Sequence, residues 1–197
     1  MTGNPIGEVI EHCQSQISNS QILDQLNLTQ RKYFLVTLHR AENVDDSARL
    51  REFLEVFGAL NNIYGFPVII STHPHTRQRL EPMRHLLDCF DTRFLDPFGF
   101  FDFIHLQRHA FCVLSDSGTV QEESCVLGVP NVTLRDHTER PECLEVGAGV
   151  LSGVDRVIES VKLVTERKTP WMPPAEYLRT NVSETVVRIL LGHLEAR

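Results

Sequence analysis

Short apolar runs recur along this 197-residue chain, and each of the first four is followed by a polar segment and then by a stretch with helical periodicity. The runs are Tyr33–Leu38, Pro67–Ser71, Arg93–Leu95, Phe111–Ser115 and Asn131–Leu134, with a last one near Gly147–Ser152. They lack strict apolar and polar alternation, which is typical of parallel strands buried on both faces. Since right-handed crossovers place helices on both faces of such a sheet, the pattern predicts an α/β fold with a Rossmann-like, doubly wound parallel sheet.

The stretches between these runs predict the helices of the same fold. They are Ile6–Ile17, Ala48–Ile63, Thr76–Leu87, Phe98–His109, Thr119–Leu127, Val154–Thr165 and Ser183–Leu194. Pro170, Pro173 and Pro174 interrupt the pattern, so the segment 168–181 is expected to be a surface loop. The length suits one domain with a sizeable core.

Composition excludes several classes of function. Lys and Arg number 19 against 26 Asp and Glu, a net charge of −7, so a nucleic-acid partner is not expected. The five cysteines are odd in number and show no C-x-x-C spacing, which favours buried thiols in a reducing cytoplasm over disulfides or zinc. His73 and His75 have no further ligand at suitable spacing, so no metal is expected. No membrane partner is expected, and a cytoplasmic location is, because the chain shows neither a leader pattern nor a long apolar stretch.

The polar segments after the predicted strands are the candidate site. In doubly wound sheets the ligand crevice lies at the carboxyl ends of the strands, beside helix N-termini that attract anions. Here those ends carry groups that bind anions, hydroxyls or rings, more densely than structural turns require. The segments are His39–Asn43, His73–His75, Asp96–Phe98, Asp116–Thr119 and Arg135–Glu142.

The segment after the fourth run predicts a phosphate site at a helix N-terminus. Thr119 and Glu122 form a capping-box pattern, which places the start of the helix one residue after Thr119. Ser117 and Gly118 are small enough to let a phosphate approach the backbone amides. Glu123, one turn further, suits the hydroxyls of a ribose. The plainer alternatives are a well-capped helix and a solvated surface glutamate.

Two further segments carry cationic groups. His39 and Arg40 directly follow a strand, where a histidine can meet a phosphate or transfer a proton, although a lone histidine is more often structural. The helix after them is expected to be capped at Asp45 or Asp46. The segment 135–142 holds arginine forks suited to a diphosphate, with carboxylates that can hold the forks in place. Its alternative is an exposed loop joined by local salt bridges.

A phenylalanine cluster lies between the third run and the next helix. Phe98, Phe100, Phe101 and Phe103 are close in sequence, and helical spacing sends several of them into the core. One ring is expected to form a wall against a flat base, with Phe103 the first choice and Phe100 the second.

Taken in order, the motifs resemble the non-hydrolysing UDP-N-acetylglucosamine 2-epimerase family. They are Thr37–Asn43, Thr72–Pro74, Asp96–Phe98, Ser115–Glu123 and Arg135–Glu142, and the similarity extends from Gly3 to about Leu191. The resemblance implies that residues 1–197 form one UDP-binding domain, the C-terminal half of a GT-B architecture, with a linker helix region at 1–18 and a C-terminal helix at 182–195. It also implies interconversion of UDP-GlcNAc and UDP-ManNAc by elimination and re-addition of UDP, with neither NAD nor a metal.

The resemblance further implies roles for individual residues. Catalytic roles fall on His39 and Arg140, and UDP contacts on Ser117, Gly118, Glu123 and Arg140. From their own places in the sequence, Arg40 and Phe103 are added to the expected UDP contacts, and Asp116, Glu122, Arg135 and Glu139 are expected to have supporting roles. The family's acid and base carboxylates belong to an N-terminal domain without a counterpart here. The isolated chain is therefore expected to bind a UDP-sugar and to need that domain, or a partner chain, for turnover.

Two alternatives stay open at this level. Relatives act on diacetamido-glucuronate or on deoxy-acetamido sugars, and some hydrolyse the glucal, so the sugar is undecided. A non-enzymatic UDP-sugar sensor or partner subunit is the other reading. A homodimer is compatible with both readings.

Overall fold

The computed structural model describes residues 2–195, with the side chains of residues 74, 75, 84 and 193–195 left out of the description. Its centre is a six-stranded parallel sheet in the order β3-β2-β1-β4-β5-β6. The strands are β1 (Phe34–Thr37), β2 (Val68–Ser71), β3 (Thr92–Leu95), β4 (Cys112–Ser115), β5 (Asn131–Thr133) and β6 (Gly149–Leu151). The predicted α/β class and doubly wound parallel sheet are confirmed, with strand ends within two residues of those expected.

Helices connect and flank these strands. They are α1 (Ile6–His12), α2 (Gln14–Ser18), α3 (Ile22–Gln25), α4 (Ala41–Val44), α5 (Ser47–Tyr64), α6 (Pro74–Leu80), α7 (Phe100–His109), α8 (Gly118–Leu127), α9 (Pro141–Glu145), α10 (Val157–Thr165) and α11 (Val182–Glu195). Short 3₁₀ helices lie at Glu81–Leu87, Val154–Arg156 and Ala175–Tyr177.

The sheet divides the core into two apolar layers. Phe34 and Val36 of β1 face the layer that contains α5 and α10, whereas Leu35 faces the layer that contains α3, α7 and the start of α8. Successive strand residues point to opposite faces, and here both faces are covered. This is why the strand sequences read as unbroken apolar runs.

Several helix bounds differ from the predicted ones. The first predicted helix breaks at Cys13 into α1 and α2. The predicted helix Thr76–Leu87 is α6 followed by a 3₁₀ helix, in whose first turn lies Pro82, a residue that lacks the N–H a continuous helix needs. Sequence periodicity missed α3, α4 and α9, because one turn of helix is too short to show a period of 3.6 residues.

The cysteines only partly match expectation. Cys112, Cys125 and Cys143 are buried, whereas Cys13 is partly exposed. The expectation of a buried thiol is wrong for Cys89, which is exposed and lies just beyond the end of the 3₁₀ helix Glu81–Leu87. None of the helices in the described part of the chain combines the length and apolar character needed to span a bilayer.

The end of the described chain lies on the surface. Tyr177, within the predicted loop 168–181, is buried in a one-turn 3₁₀ helix. The backbone N–H of Ser183, at the start of α11, donates to a carboxylate oxygen of Glu8 in α1 at 3.1 Å. Beyond Val182, the described side chains of α11 are exposed, including Leu190 and Leu191.

The N-cap of α5 provides a test of this local structure. Asp46 accepts hydrogen bonds from the amides of Ala48 and Arg49, which confirms one of the two predicted caps. Asp46→Ala should lower the free energy of unfolding by about 1 kcal/mol, since two amides lose their acceptor. Urea denaturation measures this, with Glu52→Ala on the exposed face of α5 as the control. An equal effect of both substitutions would contradict the cap.

Candidate functional site

The crevice lies where β1 and β4 are neighbours at the centre of the sheet. From this pair the chain winds outward in opposite directions, through β2 and β3 on one side and β5 and β6 on the other. At the carboxyl ends of the two strands, Thr37 Oγ1 and Ser115 Oγ are 2.5 Å apart. Such a switch point leaves a gap between adjacent strand-to-helix loops, and ligands of doubly wound folds bind there.

Asp116, directly after β4, joins the two loops that form this gap. Its carboxylate accepts the backbone N–H groups of His39, at 3.0 and 3.2 Å, and of Arg40, at 2.9 Å. His39 Nδ1 lies 2.8 Å from the same carboxylate. The backbone carbonyl of Asp116 accepts a bond from Arg40 Nε at 2.9 Å. Both cationic residues of the β1 loop are therefore held by one aspartate.

The His39–Asp116 pair is electrostatically asymmetric. Asp116 is fully buried, whereas half of the His39 side chain is exposed. The hydrogen bond with Asp116 raises the pKa of His39 above its ordinary value, against the opposing effect of burial. Burial alone would raise the pKa of Asp116, but the bonds from the His39 ring and the Arg40 amide outweigh it and lower that pKa. The pair thus favours a cationic imidazole against an ionised carboxylate.

Asn43 extends this connection to a third loop. Its side chain is fully buried, and Nδ2 donates to Asp116 at 3.2 Å and to the carbonyl of Leu134, which follows β5, at 2.9 Å. Its Oδ1 accepts from Arg49 Nε at 2.8 Å, and Arg49 Nη2 lies 3.1 Å from Asp136. In the sequence Asn43 lies within a motif, with no role indicated for it. The available signal was a polar residue directly before the apolar Val44 in the segment that follows β1.

The N-terminus of α8 opens at the same gap. The helix begins at Gly118 with Ser117 as its N-cap, so the predicted capping box at Thr119 and Glu122 is wrong. Thr119 is exposed, and Glu122 pairs instead with Arg140. The N–H of Ser117 donates to Ser115 Oγ at 3.0 Å. Ser117 places no side-chain hydrogen bond on the first amides of α8.

Arg140 lies across this helix end. Its Nε donates to Glu122 at 2.6 Å, and its side chain is 34% exposed. A Cβ on Gly118 would overlap Nη1 of Arg140, so the guanidinium rests directly on the glycine. The expected proximity of Ser117, Gly118 and Arg140 is therefore present, and only glycine permits so close an approach.

Two polar side chains that sequence reasoning did not single out hold the backbone of Arg140. Gln121 Nε2 donates to the Arg140 carbonyl at 3.2 Å, and Thr138 Oγ1 accepts from the Arg140 amide at 3.2 Å. Thr138 Oγ1 also donates to Gln121 Oε1 at 3.2 Å. Gln121 is buried and lies four residues before the buried Cys125, so both occupy the inner face of α8. That helical spacing was a usable signal.

Arg135 differs from Arg140 in its exposure. It is only 5% exposed, and its guanidinium makes two parallel bonds to Glu139, at 2.7 and 2.8 Å. The bond with Arg135 lowers the pKa of Glu139 to about 2. The sequence expectation that neighbouring carboxylates hold the arginine forks of this segment is met for Arg135, whereas Arg140 is held by Glu122 of α8, outside the segment. Arg135 is committed to the loop, which suits a supporting position.

The carboxyl group of Glu123 is buried, and one of its oxygens has no hydrogen-bond donor in the described part of the chain to balance that burial. It is 5% exposed, and its Oε2 is buried without a hydrogen-bond partner among the described residues. Burial, with a smaller contribution from the charge of Glu122, raises the pKa of Glu123 to about 8. A buried acceptor without a donor is costly, and at functional positions such a group commonly awaits a ligand.

The phenylalanines separate into core and surface. Phe98 and Phe103 are partly buried and pack on the apolar layer that includes Val120 of the first turn of α8. Phe100 and Phe101 are exposed and contact each other edge to face at 5.9 Å. Phe103 thus belongs to the apolar layer on this side of the sheet, whereas Phe100 belongs to the surface pair.

Metal-ligating side chains do not assemble in the described residues. No group of three or more His, Cys, Asp or Glu residues suited to a metal occurs there. The possible pair of His73 and His75 lies partly outside the described side chains, because His75 is left out.

Sequence and fold are both similar to those of known proteins. A family model for UDP-N-acetylglucosamine 2-epimerases matches residues 1–191. The chain belongs to the UDP-N-acetylglucosamine 2-epimerase family. The UDP-N-acetylglucosamine 2-epimerase of Methanocaldococcus jannaschii is 40% identical over 178 residues, which cover 87% of this chain and 46% of that protein.

Further relatives show how much of a family member this epimerase-family chain covers. The UDP-2,3-diacetamido-2,3-dideoxy-D-glucuronate 2-epimerase of Pseudomonas aeruginosa is 39% identical over 136 residues, covering 68% of this chain and 37% of that protein. The crystal structure of the M. jannaschii epimerase in complex with UDP-GlcNAc and UDP has a TM-score of 0.88 at 36% identity, covering 97% of this chain and 54% of that chain. The chain spans about half the length of the curated relatives it matches.

The raised pKa of the buried Glu123 leads to a prediction about the stability of this epimerase-family chain. The pKa of Glu123 rises from about 4.5 in the unfolded chain to about 8 in the folded one. Between these pH values Glu123 is largely ionised in the unfolded chain and protonated in the folded chain, so it binds a proton when the chain folds. The free energy of unfolding therefore falls as pH rises from about 4.5 to about 8. Glu123→Gln should therefore stabilise the chain by a few kcal/mol at pH 8, since each unit of pKa shift corresponds to about 1.4 kcal/mol.

Urea denaturation at pH 5 and at pH 8 measures the effect. The gain should shrink toward pH 5, because only the part of the proton uptake between about pH 4.5 and pH 5 then contributes to the free energy of unfolding. Glu55→Gln, on the exposed face of α5, is the control and should change little at either pH. A pH-independent effect of Glu123→Gln would contradict a protonated Glu123.

Proposed function

We propose that this chain is the C-terminal, UDP-binding half of an epimerase that interconverts UDP-N-acetylglucosamine and UDP-N-acetylmannosamine. The observation that carries the proposal is the convergence of the α8 N-terminus, the Arg140 guanidinium and the His39–Asp116 pair at the switch point of the sheet. Free amides and two cationic groups at one helix end form an anion site. The solved M. jannaschii relative, in complex with UDP-GlcNAc and UDP, supports a uridine nucleotide as that anion.

The diphosphate would occupy the N-terminus of α8. Gly118 presents the first backbone amide of the helix there, and the Ser117 hydroxyl, which makes no capping bond, lies beside it. The absence of a side chain at Gly118 leaves room for the guanidinium of Arg140 next to this amide. Arg140 already lies over the glycine and is restrained by Glu122. Since it is one-third exposed, it has guanidinium nitrogens to offer a phosphate oxygen, in contrast to the enclosed Arg135.

The nucleoside would extend from the diphosphate along the start of α8. Glu123, one turn into the helix, has an unpartnered buried oxygen that two ribose hydroxyls can satisfy. Phe103 packs on the same apolar layer as Val120 and supplies a ring against which a base can lie. The site thereby has one group for each part of UDP.

This half of the enzyme would stabilise the leaving group of the reaction, which is UDP. When the bond between C1 of the sugar and the β-phosphate oxygen breaks, its electron pair stays on that oxygen, and negative charge grows at the diphosphate. Arg140, the helix end and a protonated His39 stabilise this charge as it develops, which lowers the barrier. The base that removes the C2 proton, and the acid that returns one, would belong to the other half of the enzyme. The isolated chain is therefore expected to bind without turnover.

A second candidate substrate is favoured by one observation. The P. aeruginosa relative is named for UDP-2,3-diacetamido-2,3-dideoxy-D-glucuronate, and its identity to this chain, 39%, matches that of the M. jannaschii epimerase, 40%. Both substrates share the UDP moiety that this half would hold. Product analysis with the two-domain enzyme, given each UDP-sugar, distinguishes them.

Removal of Arg140 tests the proposed UDP site. Arg140→Ala should weaken UDP binding by about 1.5–3 kcal/mol, the usual worth of a hydrogen bond to a charged group, as measured by titration calorimetry. The matched control is Arg188→Ala, which breaks an exposed arginine–glutamate pair on α11. Its affinity for UDP should equal that of the original chain. No UDP binding at millimolar concentration in the unaltered chain would exclude the proposal.

Uridine, which lacks phosphate, tests the role of Glu123 separately. A carboxylate that accepts two ribose hydroxyls must be ionised, and in the free chain burial raises the pKa of Glu123 to about 8. Uridine affinity should therefore increase with pH between 6 and 8, approaching tenfold per pH unit at the lower end. Glu123→Gln should abolish the increase, and an unchanged pH dependence in this variant would remove Glu123 from the site.

A further inference from the structure

The His39–Asp116 contact contains more hydrogen bonds than the loops need for their connection. The Asp116 carboxylate already receives the amides of His39 and Arg40 and the side chain of Asn43. These bonds alone join the β1 and β4 loops. The imidazole nevertheless places Nδ1 2.8 Å from the same group, so a fourth donor is directed at a fully buried carboxylate.

This contact fixes the chemical state of the ring. A carboxylate only accepts hydrogen bonds, so the nitrogen that faces it must carry the proton. Nδ1 of His39 is then protonated whether the ring is neutral or cationic, and Nε2 is the nitrogen whose proton can leave. The charged group that opposes this arrangement is the adjacent Arg40, but its Nε is turned to the Asp116 carbonyl.

We propose that Asp116 is the positioning residue of His39: it keeps the proton on Nδ1 and so reserves Nε2 for proton exchange with the diphosphate. This inference rests on the proposed function, since it takes the diphosphate to lie at the end of α8. As the C1–O bond breaks, the Nε2 proton passes to the departing phosphate oxygen, which leaves a neutral ring protonated on Nδ1. On re-addition the proton returns to Nε2, so the cycle is balanced without another reactant.

Nitrogen chemical shifts of the imidazole test the proposal in the chain itself. The resonances of His39 are assigned from their loss in His39→Gln. In the unaltered chain the neutral ring should show Nδ1–H, and its titration midpoint should lie above the ordinary histidine value. In Asp116→Asn, whose amide faces the ring with a donor, the midpoint should fall by about one pH unit or more and the neutral ring should change to Nε2–H.

A matched control separates positioning from general stability. Asp136→Asn alters an aspartate that pairs with Arg49 and does not contact the His39 ring, so it should leave both His39 readouts unchanged. If Asp116→Asn lowers stability but leaves the midpoint and tautomer as they were, Asp116 is only structural and the proposal is overturned. An Nε2–H tautomer in the unaltered chain overturns it as well, even if Asp116→Asn does not fold.

The same samples keep this inference distinct from the proposed function. Calorimetry with UDP at pH 6.5 should show weaker binding by Asp116→Asn than by Asp136→Asn. A complete lack of UDP binding by the unaltered chain would overturn the proposed function and the phosphate role of Nε2 together. The His39 tautomer would still report whether Asp116 positions the ring.

Discussion

The rest of this structure depends on the hydrogen bonds to one buried carboxylate, which lies between the two central strands. Asp116 is removed from water, and an ionised group in that position is tolerated only when several donors surround it. Those donors come from the loop after β1 and from the start of α4. Because all these donors belong to the segment that follows β1, the position of that segment against β4 and the ionisation of Asp116 are achieved together.

Two arginines of the candidate site, Arg135 and Arg140, are each hydrogen-bonded to a glutamate. Arg135 and Glu139 form a two-bond pair that encloses the guanidinium. Arg140 donates to Glu122 through Nε, and its Nη1 lies against Gly118. The same residue types therefore give one arginine that holds a loop and one that can meet a ligand, and the difference lies in burial.

Glu123 shows a cost that the fold carries at this site. A buried acceptor without a donor destabilises the folded chain, and a glutamine would avoid the ionisation penalty. A ligand that supplied the missing donors would offset this cost on binding. The proposed ribose contact is the donor pair that would restore the balance.

The sequence by itself determined the α/β class, the parallel sheet and the family, because unbroken apolar runs and ordered polar motifs are local properties. It also indicated the segments that would meet, since the carboxyl ends of parallel strands share one edge. It did not determine where α8 begins. The sequence pattern assigned Glu122 to a capping box, but Glu122 accepts a hydrogen bond from Arg140, which is 18 residues away. Nor did it reveal Asn43 as the link between three loops, or Glu123 as a buried acid. Those outcomes depend on which side chains are removed from water and which donors reach them, and only the packed tertiary structure decides that.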